Sequence, residues 1–269
     1  MSARVRIAVA GCAGRMGRAI LRVVADRADG VISGGLEAAG SRDLGRDLGL
    51  LAGLEATGIA ASADVAALLA RSDVLIDFTA PAATAIHARQ AAEAGVAVVV
   101  GTTGLSADEQ GILDAAATRV PLLQAANMSL GVNLLIALAR QVGAALGPDW
   151  DAEIVEMHHR HKVDAPSGTA LALGAAVAAG RGVDLEAVAV RSRDGHTGAR
   201  RAGDIGFASL RGGDVVGDHR LVFAGEAERI ELAHVATDRA IFARGAVHAA
   251  CWLAGRPPGR YGMADVLGF

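Results

Sequence analysis

Residues 158–169 read HHRHKVDAPSGT, placing three histidines, an arginine and a lysine at five consecutive positions before an Asp, a Pro and a Ser-Gly-Thr. Imidazole exchanges protons near neutrality, and a lysine crowded by other cations releases its proton more readily than an isolated one. If the segment stays extended, His158, Arg160 and Lys162 share one face, and His159 and His161 share the other. Asp164-Ala165-Pro166 then breaks the strand, and Ser167-Gly168-Thr169 opens a helix capped by Asp164 or Ser167. Three chemistries compete for this run. A metal site has no cysteine nearby and would set a cation among cations. A solvated charged edge is the commoner fate of such runs. A pocket for a small dianion would set imidazole and ammonium groups, together with the N–H groups of the helix start, against two carboxylates. Cations gathered opposite a helix N-terminus favour the pocket, and beside a hydride donor such a group supplies the accompanying proton.

A second constellation lies near the start of the chain. GCAGRMG puts Gly11, Gly14 and Gly17 at three-residue spacing where a strand gives way to a helix. Glycine there lets the chain turn sharply and approach a diphosphate, which the unpaired N–H groups of the helix start attract. The spacing departs from G-x-G-x-x-G, and a tight turn that binds nothing is the alternative. Glu37, twenty residues past Gly17, stands where dinucleotide folds place an acid for the adenosine ribose. Such a carboxylate accepts hydrogen bonds from both ribose hydroxyls and repels a 2′-phosphate, and the next residue, Ala38, offers no cation. NADH is therefore expected to bind readily, with NADPH, whose phosphate Arg15 is placed to meet, used comparably or less well. GTTG (101–104) and AANM (125–128) follow strands on the same expected sheet edge; they are candidates for the nicotinamide side, or ordinary turns.

These residues need elements to position them. RVRIAVAG (4–11), VISGGLE (31–37), VLIDF (74–78), VAVVV (96–100) and VPLLQAA (120–126) read as strands, alternating with helical patterns at 16–28, 82–94 and 106–117. Ser106 and Glu109 have the spacing of a capping box. The alternation predicts a doubly wound parallel sheet, and the Gly-rich, aperiodic segment 38–61 is expected to be loop. After Asn127 the pattern changes: a long helix (130–146), the strand AEIVEMHHR, the helix opened by DAPSGT, and three β-like runs between 205 and 236 predict a mixed sheet. A helix over 238–255 returns to the first domain. The expected fold class is α/β, an N-terminal Rossmann-type dinucleotide domain (1–128, completed by 239–269) carrying an inserted mixed α/β domain (129–238).

Composition narrows the partners. With 269 residues, 52% hydrophobic but 3% aromatic, the core must be built of Ala, Val, Leu and Ile. A net charge of -3 disfavours nucleic acid or a membrane as the main partner, leaving small molecules. Two distant cysteines, Cys12 and Cys251, form no disulfide framework or CxxC metal motif, and no stretch reaches the ~18 apolar residues of a membrane span. A soluble cytoplasmic protein is expected.

VAGCAGRMGR, DFTAP (77–81), GTTG, AANMSLGVN, the E-x-H-H-R-H-K-V-D-A-P-S-G-T-A block, SRDGHTGAR, GDIGFASLRGGDVVGDH and YGMADVLG together resemble the dihydrodipicolinate (4-hydroxy-tetrahydrodipicolinate) reductases of the diaminopimelate route to lysine. The resemblance covers nearly the whole chain, and its basic block is specific to that family. It implies that His158 and Lys162 are catalytic proton-handling groups and that His159, Gly168 and Thr169 hold substrate carboxylates. It places the cofactor loop at Gly11, Cys12, Ala13, Gly14, Arg15 and Met16, with Glu37 on the ribose. The nicotinamide-side contacts fall at Gly101, Thr102 and Thr103 and at Ala125, Ala126, Asn127 and Met128. It further implies a dicarboxylate substrate, NADH or NADPH, no metal, a homotetramer built by the inserted domain, and closure of two domains around the ligands. Two residues depart from the family pattern: Ala38, where some members carry Arg, and Met128, where many carry Phe. An amino-acid dehydrogenase of similar layout and a non-catalytic nicotinamide sensor are the alternatives. The charged segment 191–204 reads as a solvated loop, or else as a lid or subunit contact. Cys12 reads as small-residue packing, with a reactive thiol at a helix start as the other option. Asp77 reads as a turn-ordering acid, and His196, His219, His234 and His248 receive no role.

Overall fold

The computed structural model describes residues 3–269, which divide into two compact units, one comprising residues up to Ser129 together with Ala240–Phe269, the other Leu130–Arg239. Each border falls at the first residue of a helix, one position from the expected one. In chain order the first unit runs β1 (Val5–Ala10), α1 (Arg15–Ala25), β2 (Gly30–Leu36), α2 (Leu48–Ala52), β3 (Ala61–Ser62), α3 (Val65–Leu69), β4 (Val74–Asp77), α4 (Pro81–Ala94), β5 (Ala97–Val100), α5 (Ala107–Ala117) and β6 (Pro121–Gln124). The second is α6 (Leu130–Leu146), β7 (Asp151–His158), α7 (Gly168–Arg181), α8 (Leu185–Val188), β8 (Ala189–Val190), β9 (Ile205–Arg211), β10 (Gly217–Ala224) and β11 (Arg229–Ala236). The chain then returns to the first unit through α9 (Ala240–Leu253), β12 (Gly259–Tyr261) and α10 (Met263–Leu267).

The first unit is a seven-stranded parallel sheet in the order β12-β6-β5-β4-β1-β2-β3. Every residue of β4 and β5 is buried, as continuous aliphatic strands must be when helices cover both sheet faces. Alanine does much of the covering: α4 turns Ala85, Ala88, Ala91 and Ala92 inward, which lets helix and sheet approach closely and explains a core nearly free of aromatics. The capping box of α5 forms as its spacing predicts, with the Glu109 amide donating to Ser106 Oγ at 3.3 Å and the Ser106 amide to Glu109 Oε2 at 2.7 Å. The segment 38–61 departs from expectation by containing α2. One turn of helix has no periodicity to read, and a side chain organises it instead: Asp47 accepts from the Gly49 and Leu50 amides and also from those of Thr57 and Gly58.

The second unit is a mixed sheet in the order β11-β10-β7-β9-β8, antiparallel on either side of β10 and parallel from β7 to β8. Burial alternates residue by residue along β7, so one sheet face is covered and the other is not. Ile154, Leu221, Phe207 and Phe223 meet Leu173 and Val177 of α7 in the covered layer. Among the described residues no helix is long and apolar enough to cross a membrane.

Candidate active site

The glycine loop joins β1 to α1 at the carboxyl edge of the parallel sheet. Gly11 has φ of +68°, a left-handed conformation that a side chain would strain, and a Cβ on Gly17 would sit 2.1 Å from the Gly11 carbonyl oxygen. Two glycines thus allow the sharp turn and the close return of the helix. The amides of Gly11 and Cys12 donate to Leu36 O, and that of Ala13 to Glu37 Oε1 at 2.7 Å. Glu37 therefore reaches the loop itself as well as facing a cleft of about 480 Å³ lined by Gly11, Leu36, Ala38, Thr79, Ala83 and His87. Gly14, the N-cap of α1, brings no side-chain cap, so the first amides of α1, those of Arg15 and Met16 among them, stay available to an anion. A dinucleotide fits this donor set: free amides for the diphosphate, a carboxylate for a ribose, an apolar cleft of ligand size. Cys12 is fully buried, and burial, reinforced by the Glu37 charge, pushes its thiol up to about 12, so packing is its role here.

Gly101–Thr103 and Ala125–Met128 follow the neighbouring strands β5 and β6 on the same edge. Asp77, wholly buried at the end of β4, does more than order a turn. Its carboxylate accepts from the Thr79 amide (2.9 Å) and from the hydroxyls of Thr79 (2.6 Å) and Thr84 (3.0 Å), and it pairs with His87 Nδ1 (2.7 Å). Burial opposes its charge, but the bonds from His87 and Thr79 prevail and hold its pKa below the usual carboxylate range. Thr102 Oγ1 accepts from the Thr79 amide at 3.1 Å, which ties the GTTG loop to this hub. The Gly101 position admits no Cβ, because one would stand 2.2 Å from the Phe78 ring. Met128 is buried.

In the second unit the basic run is not an extended strand. β7 ends at His158, where the Gly212 amide donates to the His158 carbonyl and β9 has also run out; the Lys162 amide then donates to His159 O at 3.1 Å, closing a turn. The expected sharing of faces among His158, Arg160 and Lys162 therefore fails, because the ladder that would keep the run extended has ended. Lys162 Nζ meets Asp164 Oδ1 at 2.7 Å, a counterion absent from the picture of crowded cations. Ser167, rather than Asp164, caps α7, accepting the Ala170 amide at 3.2 Å; Gly168 and Thr169 form the first turn. His159 Nε2 lies 3.3 Å from Arg239, and desolvation followed by the Arg239 charge lowers its pKa.

Four residues that the sequence reading left without a role complete the cluster. Glu156, buried one strand repeat before His158, approaches His158 Nδ1 at 2.5 Å and accepts two bonds from Arg211, each at 2.9 Å. Burial opposes the Glu156 charge, yet hydrogen bonds from Arg211, Ser209 and His158 outweigh it and hold the carboxyl down at about 2. His219 on β10 packs edge-on against His158 with ring centroids 5.1 Å apart and reaches Ser167 Oγ with Nε2 at 3.2 Å. Burial, then the nearby His158, lowers it to about 4. Arg239 is the fourth. The one signal in the sequence is the i, i+2 spacing of Glu156 and His158, which puts both on one strand face. The segment 191–204 is largely exposed but anchored: Arg200 pairs with Asp151 and Glu153 and donates to three carbonyls, and Arg193 pairs with Glu153. Among the described residues no group of three or more His, Cys, Asp or Glu side chains is arranged to hold a metal ion.

Comparison with known proteins matches this arrangement to one family. The family profile "Dihydrodipicolinate reductase, N-terminus" covers residues 5–128 and "Dihydrodipicolinate reductase, C-terminus" covers residues 131–267. The chain is 59% identical to a 4-hydroxy-tetrahydrodipicolinate reductase of Parvibaculum lavamentivorans, over all of this chain and 99% of that one. It is 57% identical to one of Rhodopseudomonas palustris, over 98% of this chain and 96% of that one. A solved dipicolinate-bound dihydrodipicolinate reductase from Paenisporosarcina sp. TG-14 shares the fold, with a TM-score of 0.78 at 24% identity over 97% of this chain and 98% of that one. The chain therefore belongs to the dihydrodipicolinate reductase family and is a reductase of the diaminopimelate route to lysine.

Proposed function

We propose that the protein reduces 4-hydroxy-tetrahydrodipicolinate to tetrahydrodipicolinate with loss of water, using His158 and Lys162 as its proton-handling groups. The observation that carries this reading is the linkage of His158, the turn that carries Lys162 and the capped start of α7 through Glu156 and Arg211, which brings cationic side chains and helix-start amides into one cluster. His159 and the amides of Gly168 and Thr169 take the substrate carboxylates. When bound, a reduced nicotinamide supplies a hydride to a ring carbon of the substrate. Water forms from the 4-hydroxyl and a hydrogen of the neighbouring ring carbon, which leaves a conjugated double bond; the hydride then enters at one end of that bond and Lys162, with His158, delivers a proton to the adjacent carbon. Holding the ring against fixed donors supplies much of the rate.

The cofactor is held by Gly11 to Met16, by Glu37 on the adenosine ribose, and by Gly101 to Thr103 and Ala125 to Met128 on the nicotinamide side. NADH serves at least as well as NADPH, because Glu37 repels a 2′-phosphate and Ala38 and Ala39, which line the cleft, offer it no cation. Leu210 and Val235 are exposed on the uncovered face of the mixed sheet, which also carries Glu153, Arg220 and Glu231; this mixed apolar and charged face supports self-association, as in a homotetramer. The near-neutral charge fits a cytoplasmic enzyme of small molecules.

Steady-state kinetics with each cofactor test the reading, the substrate being generated by a coupled synthase. Lys162→Ala is expected to collapse turnover, whereas Gly11→Ala and Glu37→Ala raise the KM for cofactor with smaller effects on kcat. Unchanged turnover in Lys162→Ala removes the lysine from the mechanism, and a strong preference for NADPH overturns the role given to Glu37.

A further inference from the structure

The geometry around His158 centres on the carboxylate next to it on the same strand face. Glu156 uses both oxygens. Oε2 faces His158 Nδ1 at 2.5 Å and accepts from Arg211 at 2.9 Å; Oε1 accepts from Arg211 at 2.9 Å and from the Ser167 amide at 3.2 Å. Arg211 in turn donates to the Asp164 carbonyl at 2.7 Å, and Asp164 is the partner of Lys162. One buried carboxylate is thus bonded directly to the imidazole and to the cap of the helix that starts at Gly168, and through one guanidinium to the loop that carries the lysine. A carboxylate accepts only, so Nδ1 must carry the proton of the 2.5 Å bond, and Nε2 is the nitrogen left for proton exchange.

We infer that Glu156 is a positioning residue for the reduction: it fixes His158 as the Nδ1–H tautomer, balances the charge the ring carries while protonated, and, with Arg211, sets His158, the Lys162 loop and the α7 start in register. The inference rests on His158 handling a proton. The charged and titratable groups facing this ring are few: Glu156 on its own strand, Arg211 behind Glu156 on β9, His219 on β10 with His234 of β11 beyond it, and His159 and Lys162 in the following turn. Only Glu156 among them is an anion in contact with the ring. Gly217 on β10 leaves the space the ring needs, since a Cβ there would sit 3.0 Å from His158 Nε2.

Glu156→Gln keeps the shape and removes the charge. With the amide oxygen retained by the Ser167 amide and Arg211, the NH2 group faces Nδ1 and donates to it, which forces the opposite tautomer. Two measurements on the full-length enzyme test this. Nitrogen-15 NMR of histidine-labelled protein is expected to show His158 protonated at Nδ1 in the wild type and at Nε2 in Glu156→Gln. Kinetics are expected to show kcat lowered by ~10²- to 10⁴-fold with the KM for NADH unchanged, and partial recovery in Glu156→Asp. A His158→Gln variant is measured alongside. If His158→Gln retains full turnover, the proton-handling reading itself fails. If His158→Gln collapses while Glu156→Gln keeps normal kcat, that reading stands and the inference about Glu156 is wrong. Should Glu156→Gln not fold, the wild-type spectrum still decides, because a neutral His158 protonated at Nε2 overturns the proposal without any variant.

Discussion

His219 makes a pH-dependent contribution to stability whose sign and size follow from its surroundings. The ring is buried against His158 and Ser167, and burial followed by the neighbouring His158 lowers its pKa from 6.5 to about 4. In the unfolded chain the same side chain takes a proton near pH 6.5; the folded protein refuses it until about pH 4. Between those values the unfolded state binds more protons, so stability falls as pH falls, while above 6.5 and below about 4 this residue adds no slope. At about 1.4 kcal/mol per pH unit, the interval from 6.5 to about 4 is worth about 3 kcal/mol, a large share of a typical domain's stability. Glu156 acts in a lower window, its stabilisation being lost as pH falls from its ordinary 4.5 towards about 2, so the two do not coincide. The assay is urea unfolding of wild type and His219→Gln at several pH values from 7 to 4. The wild type is expected to lose about 3 kcal/mol more than the variant over that range. His159 and His234, whose pKa values are also lowered, titrate in both proteins and cancel in the difference. Parallel curves for the two proteins would refute the reasoning, for they would mean that His219 is as free to take a proton in the fold as out of it.

Two further outcomes are expected. Gly17→Ala places a methyl 2.1 Å from the Gly11 oxygen and 2.7 Å from the Cys12 Cα, both backbone atoms that cannot step aside, so the loop must open. It should cost ~1–3 kcal/mol in thermal unfolding and raise the KM for NADH; normal values of both would show that the loop has slack. Cys12, fully buried with its pKa pushed up to about 12, should resist a thiol reagent at pH 8 in a Cys251→Ser background and react in full once urea is added, whereas prompt labelling of the native protein would show an open loop.

The sequence determined most of what local pattern can encode. Continuous aliphatic strands alternating with helices gave away the parallel sheet, and the glycines, Glu37 and the basic block stood out as candidate sites because each depends on residue type at short spacing. A one-turn helix such as α2 was illegible, since its cause is the Asp47 side chain reaching amides up to eleven residues away. The face that each member of the basic run presents was also beyond reach: it depends on where β9 stops, and that is a property of the neighbouring strand. Tertiary structure alone decided the partners. Glu156 and Arg211 lie 55 residues apart and are brought together by sheet register, and Ser167 and His219 lie 52 apart and meet where the start of α7 packs on the sheet. A spacing rule sees a few residues along the chain, whereas a buried charge can be satisfied from any strand that packing brings beside it.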